Sequence, residues 1–412
     1  MRKVLDSNAM TDSAFNAKRV PFFLHWMRLM GAETWRPEVP FPFRPSGSRD
    51  ASAFWQHAPK STSEGFSSFC KEQSQWFTKG LSLYQTFPRS SGAPLSEIWR
   101  EGPASLQYMP ASSTAHAAVL FVPAPMNKPD IFRLPGGGLC AFLARQGVAS
   151  YLLDWGESCA PSLEAYLEQT LFPAMEAVQQ HTSVPIFLFG YCMGAISVLG
   201  ALQHQPQWMY PKGPIAGACL LSPLWDLRTY PIATQLFIDN AFELYEKCPA
   251  PDVTEPSLIS LFLNLLQPWA IFEKYARFSQ YTDPEQQRQF VQMEDWLNDL
   301  YALSTCFIQE TVRPWFAENA LLSGDGTVFG EKLHPESLSL PMLITMPLQD
   351  RVVPPASGQS LCKRLPKAAS LYPTTGHIGA LVGRNAQEHF WKPCWTFMRS
   401  VMKGEGDLCG PC

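Results

Sequence analysis

The chain has 412 residues, 46% of them apolar and 17% charged, with a formal net charge of −4. That length and composition suit one large α/β domain with an insertion, or two to three smaller units, and the balance of charge speaks against nucleic acid as a partner. No run approaches the roughly 18 apolar residues of a membrane-spanning helix, since the longest candidate, 258–272, is interrupted by Asn264, Gln267 and Pro268.

Residues 1–110 hold many of the 37 prolines and show no long periodicity, so they read as an extended, irregular N-terminal extension rich in proline and aromatic residues. Within them, 20–31 (VPFFLHWMRLMG) reads as a short apolar helix or an amphipathic anchor, and a proline-rich linker follows from Pro37. The aromatic stretch from Phe54 reads either as helices that dock on a partner or as an arm packed on the chain's own catalytic domain. Eleven cysteines, odd in number and irregularly spaced, follow a start without a secretory leader, which reads as free thiols in a reducing cytoplasm. Cys and His never fall into paired ligand spacing and no nucleotide fingerprint is present, so neither metal nor cofactor is expected. Cys409-Gly410-Pro411-Cys412 has redox-type spacing but reads as a frayed tail.

From 111 onward the pattern turns regular. A strand at 116–125 (HAAVLFVPAP), a helix after the glycines 136–138, a strand at 149–156 (ASYLLDWG) and a second helix lead to 185–195, PIFLFGYCMGA. Strands alternating with helices predict a mainly parallel sheet covered on both faces. In 185–195 a short apolar strand runs into Gly190-Tyr191-Cys192-Met193-Gly194 and then into a helix, the pattern of a nucleophile elbow with Cys in place of Ser. Side chains at the flanking glycine positions would collide with strand and helix. The plainer reading is a buried structural cysteine beside a helix start. After another strand at 214–223, residues 224–338 are helical and aromatic, and predict a cap supplying the apolar walls of an acyl pocket. The sheet pattern resumes at 341–347, followed by Asp350, and a further strand precedes His377. The core is thus 111–223 plus 339–412, with the order nucleophile, acid, histidine of an α/β-hydrolase fold.

The chemistry assigns the roles. Cys192 needs a base to make its thiolate, since a free thiol has a pKa near 8.5; His377 takes the proton and Asp350 orients the imidazole. The backbone N–H of Met193 faces a developing oxyanion, and the loop after the 116–125 strand offers a second donor at Met126 or Asn127. Acyl transfer from a thioester such as acyl-CoA onto sulfur is near energy balance, so cysteine tilts the site towards acyl transfer. Asp154 and Asp226 are other acids near strand ends, Asp226 as a helper in deprotonating an incoming hydroxyl. His116, His181 and His204 read as structural or exposed.

Several blocks, in order, resemble the polyhydroxyalkanoate synthases, most closely their class III catalytic subunit, over about 115–402. VPAPMNKPD, SYLLDWG, GYCMG, FVQMEDWLND, LQDRVVPPAS and GHIGALVG are similar to that family's segments. The resemblance implies catalytic Cys192, Asp350 and His377, substrate contacts at Asn127 and Tyr191, and polymerisation of (R)-3-hydroxyacyl-CoA through a Cys-linked acyl intermediate. It implies no cofactor beyond the acyl-CoA substrate. Its expected partners are the polyhydroxyalkanoate granule surface, a second synthase subunit, and a homodimer or hetero-oligomer, in the cytoplasm. The chain departs from the family at Ala195, where a glycine is usual, and in its long N-terminal extension. The alternatives are a Cys-dependent hydrolase (an intracellular polyester depolymerase or thioesterase) and a non-catalytic granule-associated homologue.

Overall fold

Eight strands form the main sheet: β1 (Ser96–Glu101), β2 (Ala104–Met109), β3 (Ala117–Val122), β4 (Val148–Asp154), β5 (Ile186–Tyr191), β6 (Ile215–Leu221), β7 (Met342–Thr345) and β8 (Ala368–Leu371). They lie in a computed structural model that describes residues 63–89, 94–134, 136–247, 252–266 and 268–404. The readings of 20–31, of the linker from Pro37, of 54–62 and of the tail 409–412 fall outside the described residues. Strand order is β1-β2-β4-β3-β5-β6-β7-β8. β4 through β8 run parallel, while β1 and β2 close one edge antiparallel. Parallel strands joined by crossover helices are covered on both faces, which is why β3 and β5 are apolar at nearly every position and buried throughout. Along β3, Ala118, Leu120 and Val122 enter one buried cluster, and Ala117, Val119 and Phe121 enter the other.

The described residues divide into two compact units, the first holding residues up to 88 with 272–281 and the second the remainder. In the first, helix α1 (Ser63–Thr86) sets the Phe77 ring 4.8 Å from Phe272 and Tyr84 5.6 Å from Tyr275. The N-terminal region is therefore not extended throughout, and its boundary moves. α1 is a 24-residue helix, and β1 and β2 belong to the sheet although they precede residue 111. The mostly polar sequence SEIWRE hides β1, an edge strand with little of it buried, and β2 is a short stretch, ASLQYM, of mixed character.

In the second unit the sheet is flanked by α2 (Gly138–Arg145), α3 (Phe172–His181) and α4 (Met193–His204). One π-turn, Leu167–Leu171, leads into α3. Between β6 and β7 the chain is mainly helical: α5 (Ile232–Lys247), α6 (Pro256–Leu265), α7 (Pro268–Phe278, most of it in the first unit), α8 (Pro284–Asn298) and shorter turns up to Ser323. Two short ladders, Val253–Thr254 with Leu303–Ser304 and Thr327–Val328 with Glu331–Lys332, also lie here. Phe242, Ile259, Phe307, Val312 and Trp315 of this insertion share a buried cluster with side chains of β3 and β5. Helices α9 (Pro355–Cys362) and α10 (Lys392–Lys403) complete the unit. Cys140, Cys159, Cys192, Cys219, Cys306 and Cys394 are free thiols, but Cys362 is disulfide-bonded, so thiols throughout is not what the fold holds.

Candidate active site

The turn between β5 and α4 has room for glycine alone on either side of Cys192. A Cβ on Gly190 would lie 2.5 Å from Ala195 Cα, and one on Gly194 would lie 2.1 Å from the Val122 carbonyl oxygen. Backbone approaching that closely leaves Cys192 at φ 57° and ψ −120°, a conformation that costs a non-glycine residue about 1–3 kcal/mol. The elbow expected from the sequence is therefore present, and the methyl of Ala195 is accommodated in the core at 0% exposure. Strain of this kind persists where surrounding packing over-determines it, and half-buried Cys192 sits at the N-terminus of the 12-residue α4, whose dipole favours negative charge.

Sheet register brings the other groups to the same place. Tyr191 pairs with Leu221, Leu221 with Thr345, and Thr345 with Leu371. The ladder then continues one step beyond the strand ends: Cys192 N–H donates to the Leu221 carbonyl at 3.0 Å, Ser222 N–H to Thr345 at 2.9 Å, and Met346 N–H to Leu371 at 2.8 Å. Asp350 follows β7 and His377 follows β8. His377 Nδ1 and Asp350 Oδ2 are 2.7 Å apart, and Cys192 is close enough to the imidazole to act on it electrostatically. Cys192, His377 and Asp350, far apart in sequence, thus meet at one sheet edge.

The carboxylate is saturated with donors. Oδ1 accepts the N–H groups of Val352 at 2.9 Å and Val353 at 2.8 Å, and Oδ2 accepts the Ser222 hydroxyl at 2.7 Å besides His377. The Asp350 side chain is fully shielded, and that of His377 is 10% exposed. Burial pulls the imidazole down. The Asp350 carboxylate, through charge and hydrogen bond, together with Cys192, outweighs burial and holds His377 at about 10, above the ordinary 6.5. Tyr191 is pushed well above the usual tyrosine range by burial and by the nearby Cys192 and Asp350.

Tyr191, expected as a substrate contact, lies buried beside His377. It is 1% exposed, its ring stands 5.0 Å from His377, and its hydroxyl donates to the His377 carbonyl at 3.4 Å, so it backs the histidine. Of the two second-donor candidates, Asn127 spends its N–H on the Ala124 carbonyl at 2.8 Å, whereas Met126 N–H has no acceptor among the described residues. The Asn127 side chain is half-buried in the same loop. Met193 N–H lies at the first turn of α4, next to the sulfur-bearing residue.

The insertion between β6 and β7 holds this loop. Tyr301 N–H donates to the Met126 carbonyl at 2.8 Å, Trp296 Nε1–H donates to the Lys128 carbonyl at 2.8 Å, and Lys128 Nζ pairs with Asp299 at 2.6 Å. Tyr301 also donates its hydroxyl to Asp154 Oδ1 at 2.7 Å, which occupies that acid away from the triad. Asp226 is not free to assist an incoming hydroxyl: its carboxylate accepts from Asn319, Ser360 and the Arg228 N–H. His116 lies beside Trp395, His181 bonds Tyr151, and His204 stacks on Phe329, all outside the triad. Ser222, Trp296 and Tyr301 were not singled out from sequence. Ser222 alone carries a readable signal, the position directly after a strand adjacent to the nucleophile strand.

A family model described as serine aminopeptidase, S33, matches residues 137–378, a span that includes Cys192, Asp350 and His377. The chain belongs to this family. It is also similar to the poly(3-hydroxyalkanoate) polymerase subunit PhaC of Haloferax mediterranei, 24% identical over 285 residues, covering 66% of this chain and 56% of that protein. The PhaC subunit of Allochromatium vinosum is 23% identical over 255 residues, covering 60% of this chain and 70% of that one. The chain thus spans little more than half the length of the first of these relatives. Among solved structures, a monoacylglycerol lipase from Paleococcus ferrophilus is 16% identical, with a TM-score of 0.44 over 72% of this chain and 98% of its own. An esterase from Exiguobacterium antarcticum is 13% identical, with a TM-score of 0.41 over 72% and 96%. The fold is that of the α/β-hydrolases, and the sequence is PhaC-like. No helix among the described residues is long and apolar enough to cross a membrane.

Proposed function

We propose that the protein is an acyltransferase that polymerises (R)-3-hydroxyacyl-CoA through an acyl group carried on Cys192. The observation that carries this reading is the His377–Asp350 hydrogen bond beside Cys192 on its strained elbow, in a chain similar to PhaC. His377 takes the thiol proton, the sulfur attacks the thioester carbonyl, and the tetrahedral oxyanion is received by the N–H groups of Met193 and Met126. Collapse breaks the carbon–sulfur bond to CoA, and the departing thiolate recovers the proton from His377. In the second half, His377 removes the proton of a 3-hydroxyl, and that oxygen attacks the acyl carbon and displaces Cys192. Asp350 keeps the imidazole in the tautomer that makes both transfers workable.

The reading extends to a second subunit, oligomerisation, and a working place at the surface of cytoplasmic polymer granules. The test is CoA release from (R)-3-hydroxybutyryl-CoA by the purified chain, with and without a protein encoded beside it, followed by extraction of polyester into chloroform. Polymer is the expected product. Free 3-hydroxybutyrate in its place would assign a Cys-dependent hydrolase.

A further inference from the structure

Ser222 has no place in the reading above, yet its conformation is unusual. It is 2% exposed and stands at φ 50°, one of few non-glycine residues held at positive φ. Its backbone N–H is fixed to the Thr345 carbonyl at 2.9 Å, and its hydroxyl donates to Asp350 Oδ2 at 2.7 Å, the oxygen that also faces His377 Nδ1. By register it is the β6 counterpart of Cys192 on β5, because Tyr191 pairs with Leu221. Two adjacent strands therefore end in strained, side-chain-bearing residues, one presenting the sulfur and one holding the acid.

We infer that Ser222 is a positioning residue of this site, locking the Asp350 carboxylate through Oδ2 and sharing the charge that the imidazolium would otherwise take alone. The inference rests on the Cys–His–Asp reading and adds a fourth member to it. Backbone N–H groups fix Oδ1, so without the hydroxyl Oδ2 would be held by His377 only. A fixed donor on that oxygen lowers the charge available to the imidazolium, and so moderates how firmly His377 keeps its proton. That matters because the base must release as well as accept a proton in each half-reaction, and a pKa far above working pH impedes the release. The other groups coupled to this pair are Cys192 and Tyr191 at the end of β5 and Tyr230 after β6. Burial, Cys192 and Asp350 push both tyrosines up, so they stay neutral while His377 titrates.

The test removes the thiol from the titration. In full-length Cys192→Ala protein, the His377 ring is followed by NMR across pH, assigned by its disappearance in His377→Gln. Adding Ser222→Ala should raise the His377 midpoint by about one pH unit, the scale of one hydrogen bond to a charged group. Ser222→Gly, which relaxes the positive φ, should raise it equally. With Cys192 intact, both Ser222 variants should lose kcat about tenfold at pH 7 on the same thioester, with KM within about twofold. An unmoved midpoint overturns the inference. So does a shift seen with Ala and absent with Gly, which would make the effect one of backbone strain, and so does a uniform loss of kcat at every pH. If His377 in Cys192→Ala titrates at its ordinary value before Ser222 is touched, the parent triad reading falls as well.

Discussion

Replacing Asp350 by Asn probes the site most sharply, because the contacts dictate how the amide must sit. The Oδ1 position receives two backbone N–H groups, from Val352 and Val353, so the amide oxygen goes there and the NH2 takes the place of Oδ2. That NH2 then faces the Ser222 hydroxyl and His377 Nδ1. The hydroxyl can rotate and accept. The imidazole can accept only through a bare Nδ1, which moves its proton to the nitrogen on the Cys192 side, where it can no longer receive the thiol proton. Charge acts in the same direction. Burial lowers the imidazole and the Asp350 carboxylate, with Cys192, holds it above its ordinary value at about 10, so replacing the carboxylate removes one of the groups that favour proton uptake by His377. Acylation of Cys192 at pH 7 should fall about 10³- to 10⁴-fold. The measurement is single-turnover transfer from a hydroxyacyl thioester to residue 192, read by intact-protein mass spectrometry, with circular dichroism to confirm the fold. An Asp350→Asn rate within tenfold of the parent would refute both the tautomer and the charge arguments.

Cys192→Ser should fold as the parent and lose about 10²-fold or more in CoA release, because a serine hydroxyl is far harder to deprotonate than a thiol; parent-like turnover would exclude thiol catalysis. Gly194→Ala places a methyl 2.1 Å from the Val122 carbonyl. It should lower stability by roughly 1–3 kcal/mol or more, seen as a reduced denaturation midpoint in urea, together with loss of acylation. Trp296→Phe keeps the ring but removes the N–H that holds the Lys128 carbonyl, so acylation should slow about tenfold while alkylation of Cys192 by iodoacetamide is unchanged. If both rates fall together, the damage lies in the thiol–imidazole pair and the loop is not the cause.

What sequence could and could not disclose follows from where each interaction lives. The elbow is legible because steric exclusion at Gly190 and Gly194 is local, and the parallel strands are legible because burial on both faces forces apolar runs. Asp350 and His377 are legible as polar residues just beyond such runs. β1 is not, since an edge strand that buries little needs no apolar pattern. Tyr191 adjoins Cys192 in sequence, but alternation in a strand turns its side chain away from that of Cys192 and beside His377. The hold of Trp296 and Tyr301 on the 126–128 loop is invisible in sequence, because two of its bonds end on backbone carbonyls that any residue supplies.

The same hold bears on how a cap and a sheet can share one reaction. Cys192, Asp350 and His377 all follow strands of one ladder row running from Tyr191 to Leu371, and from the insertion Tyr230 donates to the Val352 carbonyl beside Asp350. The loop proposed to carry the second oxyanion donor is different. Met126 sits in a loop whose carbonyls at 126 and 128 are fastened to the cap at Tyr301 and Trp296. Thiol activation should therefore survive movement of the cap, whereas stabilisation of the tetrahedral intermediate should not, since a donor displaced by about 1 Å loses much of its effect. An open cap would leave a reactive sulfur that accepts substrate yet acylates slowly, and closure would restore the rate. On the proposed acyl-transfer reading, commitment would depend on closure over the bound thioester, which would also exclude the water that turns a transferase into a hydrolase.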